Sequence, residues 1–161
     1  MVVGRASPGR VASRRMDRTL VICKPDAVER GLVGQIVSRL EARTLRIVAA
    51  DLRTIDKSVA AEHYGDHLGK PFYEDLVAFI TRGPALLLVV EGPRDTYAVV
   101  RTMMGATNPA QAAPGTIRGD LAIGTTENLI HGSDSPESAI REIALFFPGL
   151  DTHLVTGEPG A

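Results

Sequence analysis

Apolar residues fall into short runs whose spacing changes along the chain. Thr19–Cys23 (TLVIC) is dense in β-formers, which predicts a strand over Arg18–Cys23. Lys24-Pro25-Asp26 closes it, because Pro has no amide hydrogen for a ladder. Leu32, Ile36, Val37 and Leu40 recur at helical spacing and predict a helix over Leu32–Leu40. Alternation between Leu45 and Ile55 predicts a strand over Ile47–Thr54. Ser58 suits a helix start for Ser58–Tyr64, and Pro71 opens another helix with Phe72, Leu76, Phe79 and Ile80 on one stripe. Ala85–Val90 (ALLLVV) is wholly apolar and follows Gly-Pro, as a buried central strand would. Asp95–Met103 reads as a helix. The stretch from Gly105 to Thr126 has no apolar period, so it reads as a long functional loop. Leu129-Ile130 is a short strand ending at the lip where His131 sits. Pro136–Phe147 is the last helix, with Ile140, Ile143, Ala144 and Phe147 turned inward and Pro148-Gly149 ending it.

Strand-helix-strand, small helices, then strand-helix-strand-helix is an α+β order. It predicts a ferredoxin-like βαββαβ sandwich: a four-stranded antiparallel sheet with helices packed on one face. A length of 161 residues fits one domain, placed at 17–150, with a head of 1–16 and a tail of 151–161. The apolar fraction of 44% can build a core without disulfides. The single cysteine, Cys23, agrees with a reducing compartment, and the expected location is the cytoplasm. No apolar run approaches the roughly 20 residues of a membrane span. Tryptophan is absent, which argues against an aromatic platform for single-stranded nucleic acid. The net charge of −1 includes four Arg in residues 1–16, leaving about −5 on the rest. Bulk attraction to nucleic acid is therefore not expected. The Arg/Ser-rich head is read as a disordered tail; a targeting segment, or a start at Met16, are the alternatives.

Glycine cradles for phosphate are missing: Gly65–Pro71 (GDHLGKP) has neither the spacing nor the Ser/Thr of a P-loop. His63 and His67 stand four apart, but Gly65 lies between them and no third ligand is evident, so both read as solvated surface residues. His131 is the sharper candidate. Gly132 follows it and would let a ligand approach, Ser133 and Ser135 offer hydroxyls, and Asp134 or Ser135 can cap the helix opened by Pro136. That helix start favours anions. Ser135, Ser138 and Glu142 share a helical face away from the Ile140/Ile143/Phe147 stripe. A carboxylate there could hold one imidazole nitrogen and leave the other as a nucleophile. The ordinary alternative, a structural histidine, stays open on these residues alone. Lys24, Arg101 and Arg118 lie near loop ends. Each could be a surface charge, but together they suit a polyphosphate.

These strings resemble the nucleoside diphosphate kinase family. The resemblance is carried by NLIHGSDS at Asn128–Ser135, TLVICKPDAV at Thr19–Val28, RGLVG at Arg30–Gly34, HY and KPFY within His63–Tyr73, and TNP with PGTIRGD within Thr107–Asp120. They run in register from about Arg18 to Gly149. The resemblance implies reversible transfer of the γ-phosphate of a nucleoside triphosphate, mainly ATP, to a nucleoside diphosphate, ping-pong through a phosphohistidine on His131. It makes Glu142 the group that orients the ring and Ser133 the support of Glu142. It places Lys24 and Tyr64 near the moving phosphoryl group, and Arg101, Thr107 and Arg118 on the other phosphates. Phe72 would stack on the base beside Leu76, and Asn128 would contact the sugar. Mg²⁺ would arrive on the nucleotide phosphates, with no dedicated protein metal site, and Gly132 would leave room for the incoming phosphate. A homo-oligomer, hexamer or tetramer, is implied, with Pro109 structural in a loop contact; neither a membrane nor a specific nucleic acid is an expected partner. Departures are Cys23, where an aliphatic residue is more usual, and Ala27, where Gly is also common. Two other readings are a non-enzymatic nucleotide-binding module and a histidine-dependent phosphohydrolase. The first would be expected to have lost His131, Lys24 or Arg118; the second usually needs a metal cluster.

Overall fold

The computed structural model describes residues 16–150, so the expected tail and all but one residue of the expected head lie outside it. That residue, Met16, is already in the sheet as the start of β1 (Met16–Cys23). Next come α1 (Pro25–Glu29), α2 (Val33–Ala42), β2 (Arg46–Thr54), α3 (Lys57–His63) and α4 (Tyr73–Ile80). β3 (Pro84–Pro93), α5 (Thr96–Met104), α6 (Ile117–Leu121), β4 (Ile130–Gly132) and α7 (Pro136–Phe146) complete the order. The four strands form one antiparallel sheet in the order β2-β3-β1-β4. The α+β class and the ferredoxin-like order follow.

Two details of the expected fold are corrected. Helices cover both faces of the sheet, because alternate residues of the central strands are apolar on both sides. Val21, Cys23, Leu88 and Val90 pack with Ile36 and Leu40 of α2, Val100 and Met104 of α5, and Ile117 of α6. Leu20, Ile22, Leu87 and Val89 pack with Ala60, Ile80, Ala139, Ile143 and Phe146, from α3, α4 and α7. Each face holds about a dozen buried side chains, and burial of each large one stabilises by roughly 1.5–3 kcal/mol. The second correction concerns α7. Ala144 is exposed, Ile140 and Phe147 are half-buried, and the buried line is Ala139/Ile143/Phe146, spaced i, i+4, i+7. Glu142 is buried beside that line rather than turned away from it.

Two short helices escaped the periodic reading. Pro25 sits at the N-terminal end of α1, where its missing amide has no partner to lose. In the expected loop, the Thr116 hydroxyl accepts the Gly119 amide at 3.0 Å and starts α6. Five residues cannot display an apolar period.

Candidate active site

β4 runs antiparallel beside β1 with His131 opposite Ile22. Opposed residues share a face, so the His131 ring lies within the strand and on the Ile22 side, against α3 and α7. Leu129, just before β4, adopts φ 74°, and its amide donates to Asp26 Oδ2 at 3.1 Å. A leucine in this left-handed region costs about 1–2 kcal/mol. Here it explains why the strand begins one residue later than its apolar residues suggest.

His131 Nε2 lies 3.1 and 3.0 Å from the two Glu142 carboxylate oxygens. Ser133 Oγ donates to Glu142 Oε2 at 2.7 Å and accepts the Leu20 amide at 3.3 Å. Burial works against the Glu142 charge, but the hydrogen bond and charge of His131, the Ser133 hydroxyl and His63 outweigh it. The carboxyl therefore sits below its usual range. An imidazole that donates Nε2–H to this carboxylate keeps its lone pair on Nδ1. Behind the ring, Ser135 Oγ accepts the Ser138 amide at 3.0 Å and caps α7, while Ser138 Oγ donates to Asp134 Oδ1 at 2.6 Å.

His131 lines a cleft of about 510 Å³ that also takes in Lys24, Tyr64, Phe72, Leu76, Arg101, Thr107, Arg118 and Asn128. The candidates proposed from sequence for substrate contact thus share one wall-to-wall space, and Ser133 and Glu142 stand behind the histidine. Lys24 is buried, and its Nζ donates to Asn128 Oδ1 at 2.7 Å. Burial, then repulsion by Arg118, lowers its pKa to about 8 despite the nearby Asp26 charge. Asn128 Nδ2 donates to the Thr107 carbonyl at 3.0 Å, so both ends of this amide are held by protein. Arg118 is also buried. Its guanidinium donates to the carbonyls of Asn128, Gly105 and Ile130 at 3.3, 3.1 and 2.6 Å. Burial, then Arg101, lowers its pKa to about 10. Arg101 is exposed and donates to the Gly132 carbonyl at 3.2 Å. Tyr64 is buried, and burial followed by the Glu142 charge pushes its phenol up to about 12. Phe72 is 47% exposed at the rim, with its ring 5.4 Å from that of His67.

Three features differ from expectation. His63 is not on a solvated surface; its side chain is only 4% exposed. It falls one turn after buried Ala60, and that i, i+3 relation on α3 was the available signal. Asp26, which the sequence marks only as part of a strand end, is buried between Lys24 and Leu129 and accepts the Leu129 amide. Gly132 also makes room for α5. A Cβ there would lie 2.7 Å from Met104 Sδ and 3.3 Å from Val100 Cγ1. His63, His131 and Glu142 together form a group whose ligand atoms lie within 4.8 Å of one another.

The family model for Nucleoside diphosphate kinase matches residues 17–152. The chain belongs to the nucleoside diphosphate kinase family. It is 60% identical over 134 residues to a nucleoside diphosphate kinase of Parafrankia sp. (strain EAN1pec), covering 83% of this chain and 97% of that protein. A nucleoside diphosphate kinase of Thermomicrobium roseum is 61% identical over 132 residues, covering 82% of this chain and 88% of that one. Among solved structures, a halophilic nucleoside diphosphate kinase from Halobacterium salinarum, in complex with CDP, superposes with a TM-score of 0.79 at 51% identity. That match covers 81% of this chain and 87% of the other. A nucleoside diphosphate kinase family protein from Babesia bovis gives 0.79 at 42% identity, covering 81% and 88%. As a nucleoside diphosphate kinase family member the chain is an enzyme, a transferase that moves phosphate between nucleotides. Among the described residues, no helix is long and apolar enough to cross a membrane.

Proposed function

We propose that the chain transfers the γ-phosphate of a nucleoside triphosphate, mainly ATP, to a nucleoside diphosphate through a phosphohistidine at Nδ1 of His131. The observation that carries this reading is the clamp of Glu142 on Nε2 inside a cleft lined by Lys24, Arg101 and Arg118. In the first half-reaction the Nδ1 lone pair attacks the γ-phosphorus, the bond from phosphorus to the β-bridging oxygen breaks, and the nucleoside diphosphate leaves. In the second, a β-phosphate oxygen of the acceptor attacks phosphorus and Nδ1 leaves with its electron pair. Nε2–H stays on Glu142 throughout, which holds the tautomer and spreads the positive charge of the ring. Lys24 and the Tyr64 phenol face the transferred group. Arg101, Thr107 and Arg118 hold the remaining phosphates, Phe72 and Leu76 take the base, and Asn128 takes the sugar.

The cleft carries one carboxylate, Asp75, and three cations. That donor set suits phosphate oxygens and not the all-oxygen shell magnesium requires. A magnesium ion is therefore part of the incoming nucleotide, where it neutralises phosphate charge. The halobacterial enzyme in complex with CDP supports nucleotide binding by this chain. A homo-oligomer, hexamer or tetramer, and a cytoplasmic location with Cys23 as a buried free thiol complete the reading.

The test is a stopped half-reaction. Incubation with γ-labelled ATP and no acceptor should leave an acid-labile, base-stable label on the protein, discharged by GDP. Labelling and exchange that persist in His131→Ala would reject the route.

A further inference from the structure

The second histidine of the site has no place in that route. Neither ring nitrogen of His63 has a hydrogen-bond partner among the described residues, although the side chain is almost fully buried. The ring stands edge-on to His131, with centroids 4.8 Å apart and planes at 87°. Its Nδ1 is 3.9 Å from Glu142 Oε1. A buried polar nitrogen left unpaired costs about 1–3 kcal/mol. Packing alone would be met better by a phenyl ring, which would also stack on Phe146, 5.3 Å away.

We propose that His63, His131 and Glu142 form a binding site for a borderline-soft divalent cation of the zinc type, which switches the enzyme off. Two imidazole nitrogens and one carboxylate are a zinc donor set, with a fourth position left for water. Magnesium does not compete well for two nitrogens. Tetrahedral zinc with bonds near 2.0–2.1 Å needs ligand atoms about 3.4 Å apart. The His131–Glu142 pair already stands at 3.0 Å, the His63–Glu142 gap is 3.9 Å, and all three ligand atoms lie within 4.8 Å of one another, so the His63 ring closes the shell by a shift of up to about 1.4 Å. Both ring nitrogens of His63 are without a hydrogen-bond partner among the described residues, so one can turn its lone pair to a metal.

Coordination at His131 Nε2 takes the lone pair of that nitrogen. The ring proton moves to Nδ1, with no net proton gained or lost, and Nδ1 then has no lone pair to attack phosphorus. Glu142 is drawn onto the metal at the same time. Metal binding stands on geometry, whereas inhibition rests on the proposed nucleophilic role of His131, so the two are measured separately.

The experiment uses the tag-free full chain, stripped with a chelator. Zn²⁺ is titrated by calorimetry, Co²⁺ by visible absorption, and the zinc shell is read by X-ray absorption. The expected result is one ion per chain, a tetrahedral Co²⁺ spectrum and a shell containing two imidazoles. Activity with MgATP should disappear with zinc and return with EDTA. His63→Phe should stay active in chelator, bind zinc on the order of 10–100-fold more weakly and escape inhibition. Absent stoichiometric binding, a shell without two imidazoles, or His63→Phe inhibited at the wild-type zinc concentration would each overturn the site. Should the variant fail to fold, binding and the X-ray shell of the wild-type chain still decide. Binding through these ligands with activity intact would overturn the switch and the nucleophilic role of His131, while leaving the metal site standing.

Discussion

Replacing His63 with Phe should make the fold less sensitive to mild acid. In the folded chain, burial and the charge of His131 depress the His63 pKa to about 3, with Glu142 opposing only in part. Unfolding returns the ring to water and a pKa near 6.5. Between these values the unfolded chain binds more protons than the folded one, so stability rises with pH across the window and is indifferent to His63 above it. At pH 5 the unfolded ring is favoured by a factor of about 30, which corresponds to roughly 2 kcal/mol. The penalty reaches about 4 kcal/mol at pH 3 and levels off near 5 kcal/mol below it. Urea unfolding at pH 7.5 and pH 5, in chelator and at one protein concentration, measures it. The stability lost between the two pH values should be about 2 kcal/mol smaller in His63→Phe than in wild type. Equal losses would show that the folded protein protonates His63 as readily as water does, and the buried neutral ring would be refuted.

Other consequences are separable. Ser133→Ala removes a 2.7 Å hydrogen bond to the Glu142 carboxylate and should lower kcat roughly 10- to 100-fold with little change in KM; an unchanged kcat would show that Glu142 needs no such support. The lowered pKa of Lys24, about 8, should make kcat/KM fall above that pH, while kcat holds to higher pH because bound phosphate restores the proton. A flat kcat/KM to pH 9.5 would contradict a phosphate-binding Lys24. Gly132→Ala should cost about 1–3 kcal/mol of stability by overpacking Met104 and Val100 yet still be phosphorylated by ATP. Full stability with lost labelling would instead mean that the added methyl crowds the phosphate.

The long periodic elements were legible because each face repeats: Leu32, Ile36 and Leu40 on α2, and the apolar run of β3. The clamp was legible too, since Ser135 and Pro136 fix the start of α7 and its pitch then brings Glu142 to His131. Other features depend on contacts distant in sequence. His63 meets His131 only because α3 and α7 pack on the same sheet face. Arg118 reads as a loop cation until folding places three carbonyls around it. The role of Gly132 depends on the approach of α5. The two-sided cover of the sheet was visible in principle, because Leu20–Cys23 offers apolar residues to both faces.

The proposed route requires a phosphoryl group on Nδ1 of His131. Tandem mass spectrometry under alkaline conditions, with phosphorus NMR of the protein treated with ATP and no acceptor, reads the residue and the nitrogen together. One phosphate per chain at His131, bonded to Nδ1 and lost on addition of GDP, is the expected result. Phosphate at Nε2, at another residue, or on no residue while exchange continues, would contradict it.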